Sequence, residues 1–256
     1  LIFKLDLGIS GAAIASSLAE MGSLVVLCIY TRAKIDKVKY GLKPVYDGRL
    51  LIKVLNLSVW SMLHAFISVA PWFLFFVAIE HLGKTELAIS NITRSVSAIF
   101  FVIANSFAVT TGSLVSNAIG ARARNELFPI CHKVLKLGYA VGIPFVVVAL
   151  LCNRWIVSFY TDNELLIELA FAPFVVMLLN YTFALPGYVY LNAVGGTGKT
   201  KITFLFQVTT TCAYLVYLYW LSFCIKASLS LYLTAEYLFV ILLALQSIIY
   251  LKSKHY

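Results

Sequence analysis

The sequence predicts an all-α protein whose helices cross a membrane, and three observations carry that prediction. Apolar residues make up 61% of the 256-residue chain and charged residues only 12%, against roughly 45–50% and 25% in an average soluble domain. The apolar residues gather into seven stretches, at residues 9–30, 54–79, 87–119, 135–152, 165–194, 202–225 and 229–251, each close to or above the roughly 20 residues a spanning helix needs. Those stretches are continuous and do not alternate apolar with polar residues as barrel strands do, so helices are preferred.

The first stretch contains the small-residue run GAAIASS and carries Glu20 at mid-span. It lacks the basic leader, short apolar core and small-residue cleavage site of a signal peptide, and with Leu1 rather than Met in first position the chain reads as a fragment of a longer one. The polar segment at 31–53 follows, TRAKIDKVKYGLKPVYDGRLLIK, with Gly41, Pro44 and Gly48 among its seven basic residues. Turn formers and cations suit a linker lying against anionic headgroups, and an ordinary loop on the same side fits the length equally.

The second stretch places Ser61, His64, Ser68 and Pro71 on one helical face. The third does the same with Asn91, Arg94, Ser95, Ala98, Asn105, Gly112 and Ser116, then stops at Gly120 ahead of Arg122 and Arg124. Two polar stripes facing each other would line a wet cavity; the alternative is that small residues let the helices pack closely while Ser and Asn bond across them. The fifth stretch carries Asn180 between Pro173 and Pro186, where two prolines bend a helix and free carbonyls. The last carries Glu236 about two turns in.

Basic residues give the orientation. Fifteen Lys and Arg flank the ends at 31–53, 120–136, 199–201 and 252–254, four (Lys4, Lys84, Arg154 and Lys226) flank the opposite ends, and Arg94 lies in the membrane. By the positive-inside rule the first side is cytoplasmic, the N-terminal end outside and the C-terminal end inside. With the cations placed this way, the net charge of +9 does not point to nucleic acid.

Other functional classes fit less well. Five cysteines form no CxxC pair or metal-ligand spacing, so packing is their expected role and no metal is expected. The octet AVGGTGKT at 193–200 meets a loose phosphate-loop pattern, but that loop works between a strand and a helix N-terminus. Here a spanning run precedes it, and a tight turn between two spans is the better reading. A seven-helix receptor is the alternative from a different class; the last span has no Lys for a retinal Schiff base, and the third ends in Gly-Ala-Arg without an acidic-Arg-aromatic triplet.

Three blocks resemble the multidrug and toxic compound extrusion (MATE) family of secondary transporters. They are LGISGAAIASSLAE at 7–20, HLGKTELAISNITRSVSAIFFVIANSFAVTTGSLVSNAIGA at 81–121 and LNAVGGTGKTKITF at 191–204. They are similar to the start of the family's sixth helix, to its seventh-to-eighth connection with the eighth helix, and to the turn before its eleventh. The resemblance implies seven helices of a twelve-helix, two-bundle transporter: 1–31 the last helix of the N-terminal lobe, 32–53 a cytoplasmic inter-lobe linker, and 54–256 the C-terminal six-helix lobe.

It further implies a non-enzymatic antiporter that exports drugs or amphipathic, cationic metabolites against Na⁺ or H⁺, without catalytic residues or a cofactor beyond the coupling ion. Its partners would be membrane lipid, the substrate and the N-terminal lobe of the same chain, in a multi-pass plasma membrane, as in the bacterial inner membrane. A flippase for lipids or lipid-linked sugars of the same superfamily is the nearest alternative. The carboxylates that the family's NorM-like branch carries in its seventh and tenth helices are missing, since the first slot falls near Ser68 and the second has only Glu164 and Glu168 at its outer end. An intramembrane charge costs about 2.5–3.5 kcal/mol at the helix centre, so the cavity candidates are Glu20, His64, Ser68, Asn91, Arg94, Asn180 and Glu236. Arg94 lies about 10 Å from the outer end at 1.5 Å per residue, within snorkelling reach of the headgroups.

Overall fold

In lipid every backbone amide must find its partner within its own segment, and the described spans meet that requirement as helices. The computed structural model describes residues 8–35, 46–225 and 227–253. Among them the regular elements are α1 (Gly8–Lys34), α2 (Gly48–Ile79), α3 (Lys84–Gly120), α4 (Leu127–Leu151), α5 (Asn153–Ser158), α6 (Glu164–Leu169), α7 (Phe171–Leu179), α8 (Tyr181–Gly196), α9 (Thr200–Trp220) and α10 (Leu229–Lys252), with short 3₁₀ or π turns between some of them. Seven spans are long and apolar enough to cross a membrane, the fifth being the composite of α6, α7 and α8 over Glu164–Gly196. Of the cations counted above, Lys4, Lys37, Lys39, Lys43, Lys226 and Lys254 lie outside the described residues, as do Gly41 and Pro44 of the linker.

The chain divides into two contact units between Ile52 and Lys53. In the first, α1 is a single span on which Glu20 is exposed. The second holds the remaining spans and is described from here on.

Its helices start and stop for local reasons. Gly83 precedes α3 at φ 131°, a conformation that side chains rarely adopt, and a Cβ there would come within 2.9 Å of the Glu86 carboxylate. At the far end of α3, Arg122 takes φ 59°, its amide bonds to the Ile119 carbonyl, and the Ala123 amide bonds to Ala118. That is a Schellman stop with Arg where Gly is usual. Asn163 caps α6, its side chain accepting from the amides of Leu165 and Leu166. The 193–200 octet closes α8 and opens α9 through Gly198 at φ 81°, a turn between two spans. α4 starts at Leu127, earlier than the apolar run at 135, because its first turns around His132 and Lys133 extend past the apolar stretch.

α8 is the element around which the unit packs, and close approach is the reason. Gly138 and Gly142 of α4 form a Gly-x-x-x-Gly pair whose absent side chains leave room for Leu185 and Tyr181; a Cβ on Gly142 would sit 2.1 Å from the Tyr181 ring. The two helices also exchange hydroxyls. Tyr181 donates to the Gly138 carbonyl at 2.8 Å, and Tyr139 donates at 2.7 Å to Thr182. Thr182 is the residue four before Pro186, so its carbonyl lacks a helical donor and the Tyr139 hydroxyl takes that place. On other sides of α8, Gly187 admits the Val240 backbone of α10, and Gly196 admits the Gly112 backbone of α3.

Packing was the expected role of the cysteines; Cys224 lies outside the described side chains, and among the other four Cys131 fills that role. Cys28, Cys152 and Cys212 are exposed, which costs a thiol little where the surroundings are as apolar as the core.

Candidate functional site

A cavity of about 320 Å³ opens between α2, α3, α7, α8, α9 and α10. Pro71 lies in α2 beside it, and the α7–α8 break at Asn180 forms another part of the wall. Six aromatic residues (Trp72, Phe100, Phe101, Tyr181, Tyr188, Phe239) stand in its wall; Asn105, Asn180, Asn192 and Gln207 add amides, and His64, Ser68, Ser97 and Glu236 complete the polar set. No Lys or Arg lines it among the described residues. A polyaromatic wall with a few convergent polar groups suits a flat, amphipathic ligand.

The polar stripe predicted on α2 faces this cavity through His64, Ser68 and Pro71, while Ser61 and His64 border a second cavity of about 350 Å³ toward the α8–α9 turn. The stripe on α3 is divided. Ala98 and Asn105 line the first cavity and Gly112 and Ser116 the second, whereas Asn91 and Ser95 are exposed outside both walls. Two heptads separate Asn91 from Asn105, and at about 20° of drift per heptad a straight helix turns the earlier residue off the line.

Arg94 does not snorkel. Its side chain is 1% exposed, and Nη2 donates to Glu236 Oε1 at 2.6 Å, joining α3 to α10. The Tyr214 hydroxyl of α9 donates to the same oxygen at 3.3 Å. Three rings of α2 close around the guanidinium, with Phe75 at 4.0 Å, Trp72 at 5.1 Å and Phe76 at 5.4 Å from its carbon. Nε and Nη1 meet no hydrogen-bond acceptor among the described residues; ring faces take that role, each contact being worth about 2 kcal/mol or more when desolvated. An anion within reach explains why the side chain stays inside, since the pair is neutral while a lone cation would be drawn to water.

Glu236 therefore has two neighbourhoods, the arginine behind it and the cavity in front. The other sequence candidates scatter: Asn180 lines the cavity with a buried Oδ1 that meets no partner among the described residues, and Glu20 belongs to the first unit. Glu164 makes only a surface contact of 3.8 Å with Arg154, and Glu168 is exposed. Sequence reasoning missed the ring box of Trp72, Phe75 and Phe76, along with Tyr214, Asn192 and Gln207. The two amides carried a signal, being polar groups inside predicted spans; the rings carried none, because aromatics are ordinary in such spans.

Comparison with known proteins places this geometry. The sequence model of the MatE family matches residues 61–220. No curated protein sequence matches the chain. Among solved structures, a MATE transporter in the bent conformation superposes with a TM-score of 0.69 at 17% identity, over 77% of this chain and 44% of that one. A MATE transporter in complex with MaL6 gives 0.75 at 16% identity, over 98% of this chain and 58% of that one. A MOP superfamily transporter from Pyrococcus furiosus, described as having a binding pocket of reverse polarity that suggests a different function, gives 0.65 at 17% identity, over 77% and 43%. The chain thus spans about half the length of these structures.

Proposed function

The chain belongs to the MatE family, a family of multi-pass membrane transporters, and on that footing we propose that it is part of a secondary antiporter exporting amphipathic organic cations in exchange for H⁺ or Na⁺. The observation that carries this reading is the cavity itself. Among the described residues its wall holds six aromatic residues and no Lys or Arg, and its carboxylate, Glu236, already has a counter-charge. A flat cation can enter such a site by ring stacking without meeting a fixed positive charge. An anionic lipid headgroup needs several cations on the wall, which leaves the flippase alternative without support here.

In this reading residues 54–256 form the C-terminal lobe, 1–31 supply the last helix of the other lobe, and 32–53 link them. The cation-rich ends face the cytoplasm of a plasma membrane, the bacterial inner membrane in a bacterial cell. Export then follows from a site whose affinity for substrate and ion differs between two membrane-facing states.

Accumulation of ethidium in cells tests the proposal. Expression of the full-length protein lowers it several-fold, and an uncoupler that collapses the ion gradient abolishes the difference. Equal accumulation with and without the protein, at verified expression in the membrane, counts against organic-cation export.

A further inference from the structure

Glu236 and His64 both line the central cavity, and their situations are opposite. Both hydrogen bonds described above for Glu236 fall on Oε1, from Arg94 and Tyr214. That oxygen is committed to a guanidinium that is 1% exposed, and a buried cation without its anion is costly in low dielectric. Glu236 therefore serves as the counter-charge of Arg94.

His64 has no such partner. Its Nε2 is buried and meets no hydrogen-bond partner among the described residues, yet the residue lies in the wall of both cavities. The second cavity continues from His64 toward Ser116, Gly196 and Thr200 at the α8–α9 turn. A buried polar atom without a partner calls for an explanation, and an imidazole nitrogen in the wall between two cavities can take up and release a proton. Among the described residues the ionisable groups lining the cavities with it are Glu236 of α10 and the phenols Tyr181 and Tyr188 of α8; α3, α7 and α9 line them with non-ionisable side chains, and α2 adds no other ionisable group.

We propose that His64 binds the coupling proton, an inference that rests on the organic-cation antiport reading. With the neutral ring protonated at Nδ1, Nε2 accepts a proton that enters through the second cavity and becomes imidazolium; its release toward the other side restores the neutral ring. The Arg94–Glu236 pair leaves the wall without net charge, so an imidazolium and an organic cation repel each other across it. Occupancy by one or the other, never both, is the condition that antiport requires.

Ethidium carries a fixed charge, and its binding to purified full-length protein tests this by fluorescence anisotropy from about pH 5.5 to about 8.5, the window in which histidine titrates. The wild type loses affinity on the acid side by up to about tenfold per pH unit and releases protons on binding. His64→Gln and His64→Asn, whatever their absolute affinity, flatten the profile to less than about twofold across the same window, as expected when the linked group is removed. A flat wild-type profile without proton release overturns the proposal, as does a wild-type slope in either folded variant; if neither variant folds, the wild-type profile and its proton release decide. Failure of the wild type to bind ethidium or tetraphenylphosphonium at any pH overturns the antiport reading beneath it.

Discussion

Arg94 holds a full positive charge beside three aromatic rings and one carboxylate, and its neighbours decide what removing it would do. Truncating one member of a buried pair leaves the other uncompensated and costs about 3–5 kcal/mol, whereas replacing both with apolar side chains of similar volume is close to neutral or stabilising. Arg94→Ala and Glu236→Ala are accordingly each expected to lower unfolding stability in detergent by about that amount, and Arg94→Met with Glu236→Met together to recover most of it. Additive losses in the double variant would show that the two residues act separately. Both residues stood out in the sequence as intramembrane charges; their partnership did not, because 142 residues separate them and no helical periodicity relates positions on different helices.

At the scale of the element, α4 and α8 are held by two glycines and two tyrosines. Tyr181 is 3% exposed and bonded to the Gly138 carbonyl, so it cannot yield to a methyl group at Gly142 without giving up that bond. Gly142→Ala is expected to destabilise by about 1–3 kcal/mol through overpacking, with part of the loss recovered by adding Tyr181→Leu; an unchanged denaturation midpoint for Gly142→Ala would contradict the packing described. The spans themselves were legible to within a few residues at most ends, since composition and length in lipid leave little choice but helix. The divisions of the fifth span were legible only in outline. Pro173 and Pro186 announce a bend, but the break falls at Asn180, where the Tyr139 and Tyr237 hydroxyls reach the carbonyls of Thr182 and Val176 from other helices.

For the whole molecule, the second unit combines a charge-neutral interior with an aromatic cavity next to it, inside a bundle whose exposed surface is largely apolar. Composition made the membrane legible and three short blocks made the family legible. The cavity was half legible: the α2 stripe faces it, but the α3 stripe turns away at Asn91, because facing depends on how a helix is rotated against its neighbours. The central claim is that this cavity is where the transported cation sits. Ethidium transport into proteoliposomes under an imposed pH gradient tests it most directly, comparing wild type with Ala98→Trp, which fills the cavity wall, and Ile99→Trp, one residue along α3 and 61% exposed. The account predicts that Ala98→Trp transports at least about tenfold more slowly, equivalent to about 1.4 kcal/mol or more, while Ile99→Trp keeps the wild-type rate. Equal rates for all three proteins would contradict it.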